Sequence, residues 1–270
     1  MTERSATIVT QFARGSQPAR YGWLWSIVYS AISVGLFFLL WEGLIRAFDV
    51  PVWLVPKPSD FLGHFLTDYP EILRNALATS VTLAAGFGLG ILIAVPLALL
   101  MVSVGAFERG LYPLIVFLNI MPKTVIGPIF VIWFGVSPMV SVLVVFLMCF
   151  FPILVDSMLG FRVIDPRLHY ITRSMGATEW QAFRFVRVPA SMSYIYAGMR
   201  IGIVKAIEGV IIAEFIASSQ GLGFMIMRAS SFMNMELLFC GLIAVAVVAL
   251  VFNGLLAVSE RIMMPWVRPR

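Results

Sequence analysis

The feature that most constrains this chain is a series of long apolar segments that carry no charge. The clearest runs from residue 75 to residue 107, where 33 consecutive residues include no Asp, Glu, Lys or Arg. The whole chain is 60% hydrophobic and only 12% charged, whereas soluble domains have roughly 45–50% apolar and about 25% charged residues. That excess is too large for one buried core, so we predict an all-α integral membrane protein with about six transmembrane helices.

Six apolar segments are long enough to cross a bilayer. They cover residues 21–41, 77–103, 110–134, 139–159, 189–217 and 237–259. The third contains Pro113, Pro122 and Pro128. Because proline removes backbone hydrogen bonds that lipid cannot replace, we expect this helix to be kinked and to be sheltered by protein or to border a wet cavity.

The connecting segments predict the orientation. Twelve arginines fall in residues 1–20, at position 109, in residues 161–188 and in residues 261–270. Lys57, Arg74 and Arg228 lie in the alternate loops. Since cytoplasmic loops carry the excess of basic residues, we predict a cytoplasmic N-terminal tail (1–22), a transmembrane domain (23–260) and a cytoplasmic C-terminal tail (261–270). No cleavage site follows the first apolar run, so no cleaved signal peptide is expected.

Residues 161–188 form a cytoplasmic loop with helix signals of its own. Asp165 suits an N-cap and Gly176 suits the left-handed position after a helix end. Thr178 and Gln181 have the spacing of a capping box, which predicts that a second helix begins at once. Its apolar residues recur every third position, at Ala177, Trp180, Phe183 and Val186. Periodicity alone fits a docking element or an interfacial helix on anionic lipid equally well.

The loop also resembles a known motif. Gly176 precedes Pro189 by thirteen residues, with Val186 and Val188 at the apolar positions between them. This spacing resembles the "EAA" loop of ATP-binding cassette (ABC) importer permeases. Other segments resemble the nitrate/sulfonate/taurine/thiamine-precursor group of that family: residues 119–122, 128–135, 151–153, 160–162, 165–166, 198–200, 214 and 221–223. Two departures are Tyr170-Ile171-Thr172 in place of E-A-A and Ser193 in place of a second proline.

The resemblance implies a type I importer permease fold in a bacterial inner membrane. It implies a second permease copy, separate ATPase subunits and an external binding protein. ATP and Mg would bind the ATPase, and this chain would bind no cofactor. The implied coupling residues are Asp165, Arg173, Gly176, Ala177, Thr178, Trp180 and Pro189. The chain lacks the G-x-x-x-x-G-K-[ST] phosphate loop, so we expect a non-catalytic pore subunit.

Charges within the apolar segments are candidates for a substrate pathway, because a charge at bilayer depth costs roughly 2.5–3.5 kcal/mol. The candidates are Lys123, Arg200, Lys205 and Glu208. Glu214, at the end of the fifth segment, is expected to be structural or part of an outer gate. Lys205 and Glu208 are three residues apart and can form a structural pair. Lys123 either contacts substrate or pairs with a carboxylate such as Glu208 or Asp156. If Lys123 and Arg200 both face the pathway, an anion is favoured.

The sequence also allows two other classes of function. An ion-coupled secondary transporter would share the composition but would not need the loop at 161–188. A membrane-embedded enzyme needs a convergent catalytic cluster, and the isolated Cys149 and Cys240 do not provide one. No metal site and no nucleic-acid partner are predicted. A small organic or inorganic anion is the leading substrate class, with a pyrimidine precursor close behind, and a homodimer is favoured over a heterodimer.

Overall fold

The structure is a computed structural model that describes residues 22–163, 172 and 174–266. The chain divides into two compact units, residues 1–60 and residues 61–270. The first contains α1 (Gly22–Ala47), a single helix over the first predicted span. Within this unit Ser59 Oγ donates to Glu42 Oε1 at 3.0 Å. Helix α2 (Pro58–Thr67) crosses the unit boundary and follows the first predicted span in the chain.

In the described part of the second unit, all regular secondary structure is helical. Its helices are α3 (Tyr69–Ser103), α4 (Gly105–Ile120), α5 (Ile126–Phe134), α6 (Pro138–Arg162), α7 (Glu179–Ala182), α8 (Val188–Ala217), α9 (Leu222–Ser231) and α10 (Met235–Met263). Two short segments differ from α-helical geometry. One is a 3₁₀ turn at Lys123–Val125 and the other a π-helical turn at Phe183–Arg187.

In the described part of the chain, three helices are long and apolar enough to cross a membrane, namely α3, α6 and α10. A fourth span results if α4 and α5 count as one broken crossing. Helix α8 covers the fifth predicted span, but it carries Arg200, Lys205, Glu208 and Glu214. All six predicted spans therefore fold as helices, and the third does so in two pieces.

The third predicted span is sharply broken rather than kinked. Its two halves, Gly105–Ile120 and Lys123–Phe134, meet at an angle of 80°. The break falls at Met121-Pro122, where both residues have extended backbone. Pro122 cannot supply the amide that would continue α4, so the local sequence explains where the span divides.

Helix α6 lies at the centre of the second unit and packs along both α3 and α8. Small residues make these contacts close. On α8, Gly198, Gly202 and Gly209 lie against α6, and a Cβ at each would approach atoms of α6 to 2.9 Å. On α3, Gly86 and Gly90 lie against Val145 and Cys149 of α6. Small residues at interfaces allow helices in lipid to gain van der Waals contact where no hydrophobic effect drives association.

Candidate functional site

The turn at Gly176 has the predicted geometry. Gly176 has φ +74°, and the amide of Ala177 donates to the carbonyl of Thr172 at 3.0 Å. This six-to-one hydrogen bond is typical of a Schellman helix end. Asp165 and Arg173, two of the predicted coupling residues, lie outside the described residues.

The predicted capping box is confirmed directly after this turn. The amide of Gln181 donates to Thr178 Oγ1 at 3.3 Å, and the amide of Thr178 donates to Gln181 Oε1 at 2.8 Å. The short helix that follows does not stay regular. It passes from α7 through the π-helical turn at Phe183–Arg187 directly into α8, with Pro189 in the first turn of α8. The predicted second helix therefore begins directly after the turn, and it continues without a break into the helix of the fifth span.

The apolar side chains of this segment are largely exposed. Met175 is 80%, Trp180 65% and Phe185 69% exposed, and the rings of Trp180 and Phe183 stack at 5.6 Å. Arg184 and Arg187 are exposed beside them. A cavity of about 510 Å³ lies next to the turn. It is lined by Thr172, Met175, Gly176, Ala177, Gln181, Ala182, Phe185 and Val186.

A second cavity, of about 300 Å³, lies at the break between α4 and α5. It is lined by Asn119, Met121, Pro122, Lys123, Met148, Pro152, Ile201, Lys205 and Glu208. Three of the four predicted pathway residues therefore line one cavity. Lys205 Nζ lies 2.8 Å from Glu208 Oε2, so these two form the expected pair.

Lys123 makes no ion pair within the part of the chain that the structure describes. Its ammonium donates to the backbone carbonyl of Asn119 at 2.9 Å and to Asn119 Oδ1 at 3.1 Å. It also lies 5.0 Å from the centre of the Phe151 ring. The expected partners Glu208 and Asp156 are not used, because Lys123 follows the break and caps the free end of α4 instead.

Arg200 is placed differently from the other predicted pathway residues. It forms an ion pair with Glu260 of α10 and does not line the cavity at the break. The positive charge of this cavity therefore comes from Lys123, since Lys205 and Glu208 offset each other.

Sequence reasoning missed several side-chain contacts between distant segments. Two are further ion pairs, Arg162 with Glu108 and Arg228 with Glu71. A third is a buried network around Glu214, whose carboxylate accepts a hydrogen bond from Thr79. The sequence contained one signal for this network, the pair of glycines at Gly221 and Gly223, which predicts a close approach of backbone.

The architecture defines an all-α, multi-pass membrane protein. Its fold is similar to that of a chain from the MetNI methionine ABC transporter in an inward-facing structure, with a TM-score of 0.61 and 14% sequence identity. The match covers 72% of this chain and 96% of that one. It establishes the fold alone, which is that of a type I permease.

The family follows from the sequence comparisons. A model described as "Binding-protein-dependent transport system inner membrane component" matches residues 86–269, and the chain belongs to this family. It is similar to the formylaminopyrimidine transport permease protein ThiX of Halalkalibacterium halodurans, with 30% identity over 88% of this chain and 97% of the relative. The riboflavin transport system permease protein RibX of Chloroflexus aurantiacus is 27% identical over 90% and 91%. The putative aliphatic sulfonates transport permease protein SsuC of Bacillus subtilis is 27% identical over 92% and 89%.

Proposed function

We propose that this chain is the pore-forming permease subunit of an ATP-driven importer and that separate ATPase subunits dock on residues 175–187. ATP and Mg would bind those partners. A second permease copy, most simply an identical one, would complete the pore, and an external binding protein would deliver the solute. Both termini and the docking segment would face the cytoplasm. Family membership supports the class of function, and the exposed apolar side chains of the segment support the docking site.

The continuity of the helix is the observation that carries this proposal. Trp180 and Phe185 lie exposed at one end of a helical run that continues into α8. Helix α8 packs closely on α6 through glycines. Movement of a partner bound at Phe185 would therefore shift α8 against the core instead of being absorbed by a loose loop. An ion-coupled transporter would not require such an exposed apolar segment at the water side.

Removing one exposed ring should test the docking segment. We expect Phe185→Ala to reduce the amount of ATPase that copurifies with the tagged chain at least tenfold, because aromatic anchors carry much of the energy of a protein interface. Phe232→Ala is the matched control, since Phe232 is 79% exposed but lies after α9, on the opposite side of the predicted topology. Equal recovery of ATPase with both variants would contradict the docking site.

We further propose that the cavity at the helix break receives a small anion. An ammonium with no carboxylate partner at bilayer depth is costly, and a bound anion would offset that cost. Lys123 supplies the charge, while Met121, Met148 and Ile201 supply apolar surface for an organic portion. The names of the relatives include both an anion class, aliphatic sulfonates, and a formylaminopyrimidine, so a pyrimidine precursor is the second candidate.

Lys123→Gln tests the substrate class. With the ATPase and binding protein in proteoliposomes, we expect ATP-driven uptake of methanesulfonate to fall at least tenfold, because the attraction to the anion is lost while the hydrogen bonds to Asn119 can persist. Lys123→Arg should retain uptake within about threefold, and Lys57→Gln serves as a control lysine outside the cavity. Unchanged methanesulfonate uptake in Lys123→Gln, or uptake of formylaminopyrimidine alone, would exclude the anion proposal.

A further inference from the structure

Helix α9 begins inside the protein with its first amides bound by side chains from two other helices. The amides of Gly221, Leu222 and Gly223 donate to Asn75 Oδ1 at 2.9 Å, Thr79 Oγ1 at 2.8 Å and Glu214 Oε2 at 2.8 Å, respectively. Asn75 and Thr79 belong to α3, and Glu214 belongs to α8. We call these three side chains, together with the three amides, the carboxylate clasp.

Glu214 is the only charged side chain that is fully buried in the described ranges, and it is 2% exposed. Its carboxylate accepts a hydrogen bond from the Thr79 hydroxyl at 2.8 Å in addition to the one from the Gly223 amide. It also lies at the N-terminus of α9, where the helix dipole favours a negative charge. Helix α9 itself therefore supplies a hydrogen-bond donor and a favourable dipole to this buried carboxyl group.

The clasp leaves no room for a ligand. A Cβ added to Gly223 would lie 2.8 Å from Glu214 Cβ and 2.9 Å from the carbonyl oxygen of Ile211. At Gly221, where φ is +109°, a Cβ would collide with the Glu214 carboxyl group. These contacts argue that Glu214 is not a substrate ligand, and they indicate that the parts fit together in one arrangement.

A second connection joins the same helices. Arg228, in the last turn of α9, forms an ion pair with Glu71, in the first turn of α3. Helix α9 is thus held to α3 at both of its ends. The first connection is buried and the second is partly exposed.

We infer that the carboxylate clasp fixes α9, the start of α3 and the end of α8 into one rigid body that moves as a unit during transport. This inference rests on the proposed function, because it assumes a transport cycle. Separating the three helices would leave amides and a carboxylate without partners where water is scarce, and each such group is costly. The break at residues 121–125 differs, because Lys123 there makes local hydrogen bonds to Asn119 and a cation–π contact with Phe151 but, among the described residues, no hydrogen bond to a helix other than α4. We therefore assign the movement that opens the pathway to one membrane face or the other to the break at residues 121–125 and to the part of α8 that precedes the clasp.

A reversible cross-link between α3 and α9 tests the rigid body. Glu71→Cys and Arg228→Cys would be combined and joined with a short bis-methanethiosulfonate reagent in the complex of permease and ATPase. The native Cys149 and Cys240 are both fully buried. We expect the ATP hydrolysis rate to stay within twofold of that of each single-cysteine variant. A tenfold loss that a reductant reverses would show that α9 moves against α3 and would overturn the inference.

Amide hydrogen exchange in the purified permease alone provides an independent test. In Glu214→Ala, which removes the acceptor, we expect exchange at residues 221–223 to accelerate at least tenfold, whereas Glu208→Ala, a change six residues earlier on the same helix, should not alter it. Unchanged exchange in Glu214→Ala would contradict the clasp. If no ATPase copurifies with the wild-type chain, the proposed function fails, but the exchange result still decides whether the clasp exists.

Discussion

Replacing Gly176 with valine is expected to abolish ATP-driven transport while the chain still inserts into the membrane at normal levels. Gly176 has φ +74°, a conformation that costs an L-residue roughly 1–2 kcal/mol and is more unfavourable still for a β-branched one. The turn should relax and lose the hydrogen bond from Ala177 to Thr172. Trp180 and Phe185 would then no longer be presented in the geometry that the ATPase requires. Uptake and ATP hydrolysis in proteoliposomes would be measured together.

Gly176→Asn is the matched control for backbone geometry. Asparagine is larger than glycine but tolerates the left-handed region, and a Cβ at this position meets nothing within 4 Å. We expect this variant to retain most of the transport rate. Equal loss in both variants would mean that side-chain volume matters rather than backbone conformation. Full activity of the valine variant would exclude the turn from coupling.

Replacing Gly86 with leucine should cause a large loss of stability, because this residue lies at a close contact in the helix core. A Cβ at Gly86 would lie 2.5 Å from Val145 Cβ and 2.9 Å from the carbonyl oxygen of Val142. Val145 is fully buried, so α3 and α6 would have to separate. We expect a cost of about 3 kcal/mol or more, which corresponds to a fall of roughly 5–10 °C in the unfolding temperature for a chain of this size.

Gly88→Leu provides the comparison on the same helix. A Cβ at Gly88 meets nothing within 4 Å, and leucine favours helix over glycine by up to about 1 kcal/mol. This variant should therefore unfold within about 2 °C of the wild-type chain. Thermal unfolding in detergent, followed by the loss of monodisperse protein, would measure both variants. Similar unfolding temperatures for Gly86→Leu and Gly88→Leu would refute the close packing of α3 on α6.

Features that depend on neighbouring residues were predictable from the sequence. The capping box at Thr178 and Gln181 needs only side chains three residues apart. The left-handed turn at Gly176 and the pair of Lys205 with Glu208 are local in the same sense. The six helical segments follow from apolar length alone, because a bilayer imposes that length on each span.

Features that depend on distant partners could not be predicted. Arg200 pairs with Glu260, which is sixty residues away, and a single sequence contains no information on which helices become neighbours. Helix α9 lies between the fifth and sixth apolar segments, and its Gly, Ser and Arg residues are typical of a connection. The structure shows that its start depends on Asn75 and Thr79, which lie far away in the chain. The 80° break was only partly foreseen, because proline predicts a disruption but not its angle.

The most direct test of the proposed coupling mechanism is to determine on which side of the membrane the docking segment lies. Met175→Cys and Phe232→Cys place single reactive thiols at two exposed positions, whereas the native cysteines are buried. A membrane-impermeant maleimide should label Met175→Cys only in inverted vesicles and Phe232→Cys only from outside intact cells. If Met175→Cys is instead labelled from the outside, no cytoplasmic ATPase can act on this segment, and the proposed coupling mechanism is wrong.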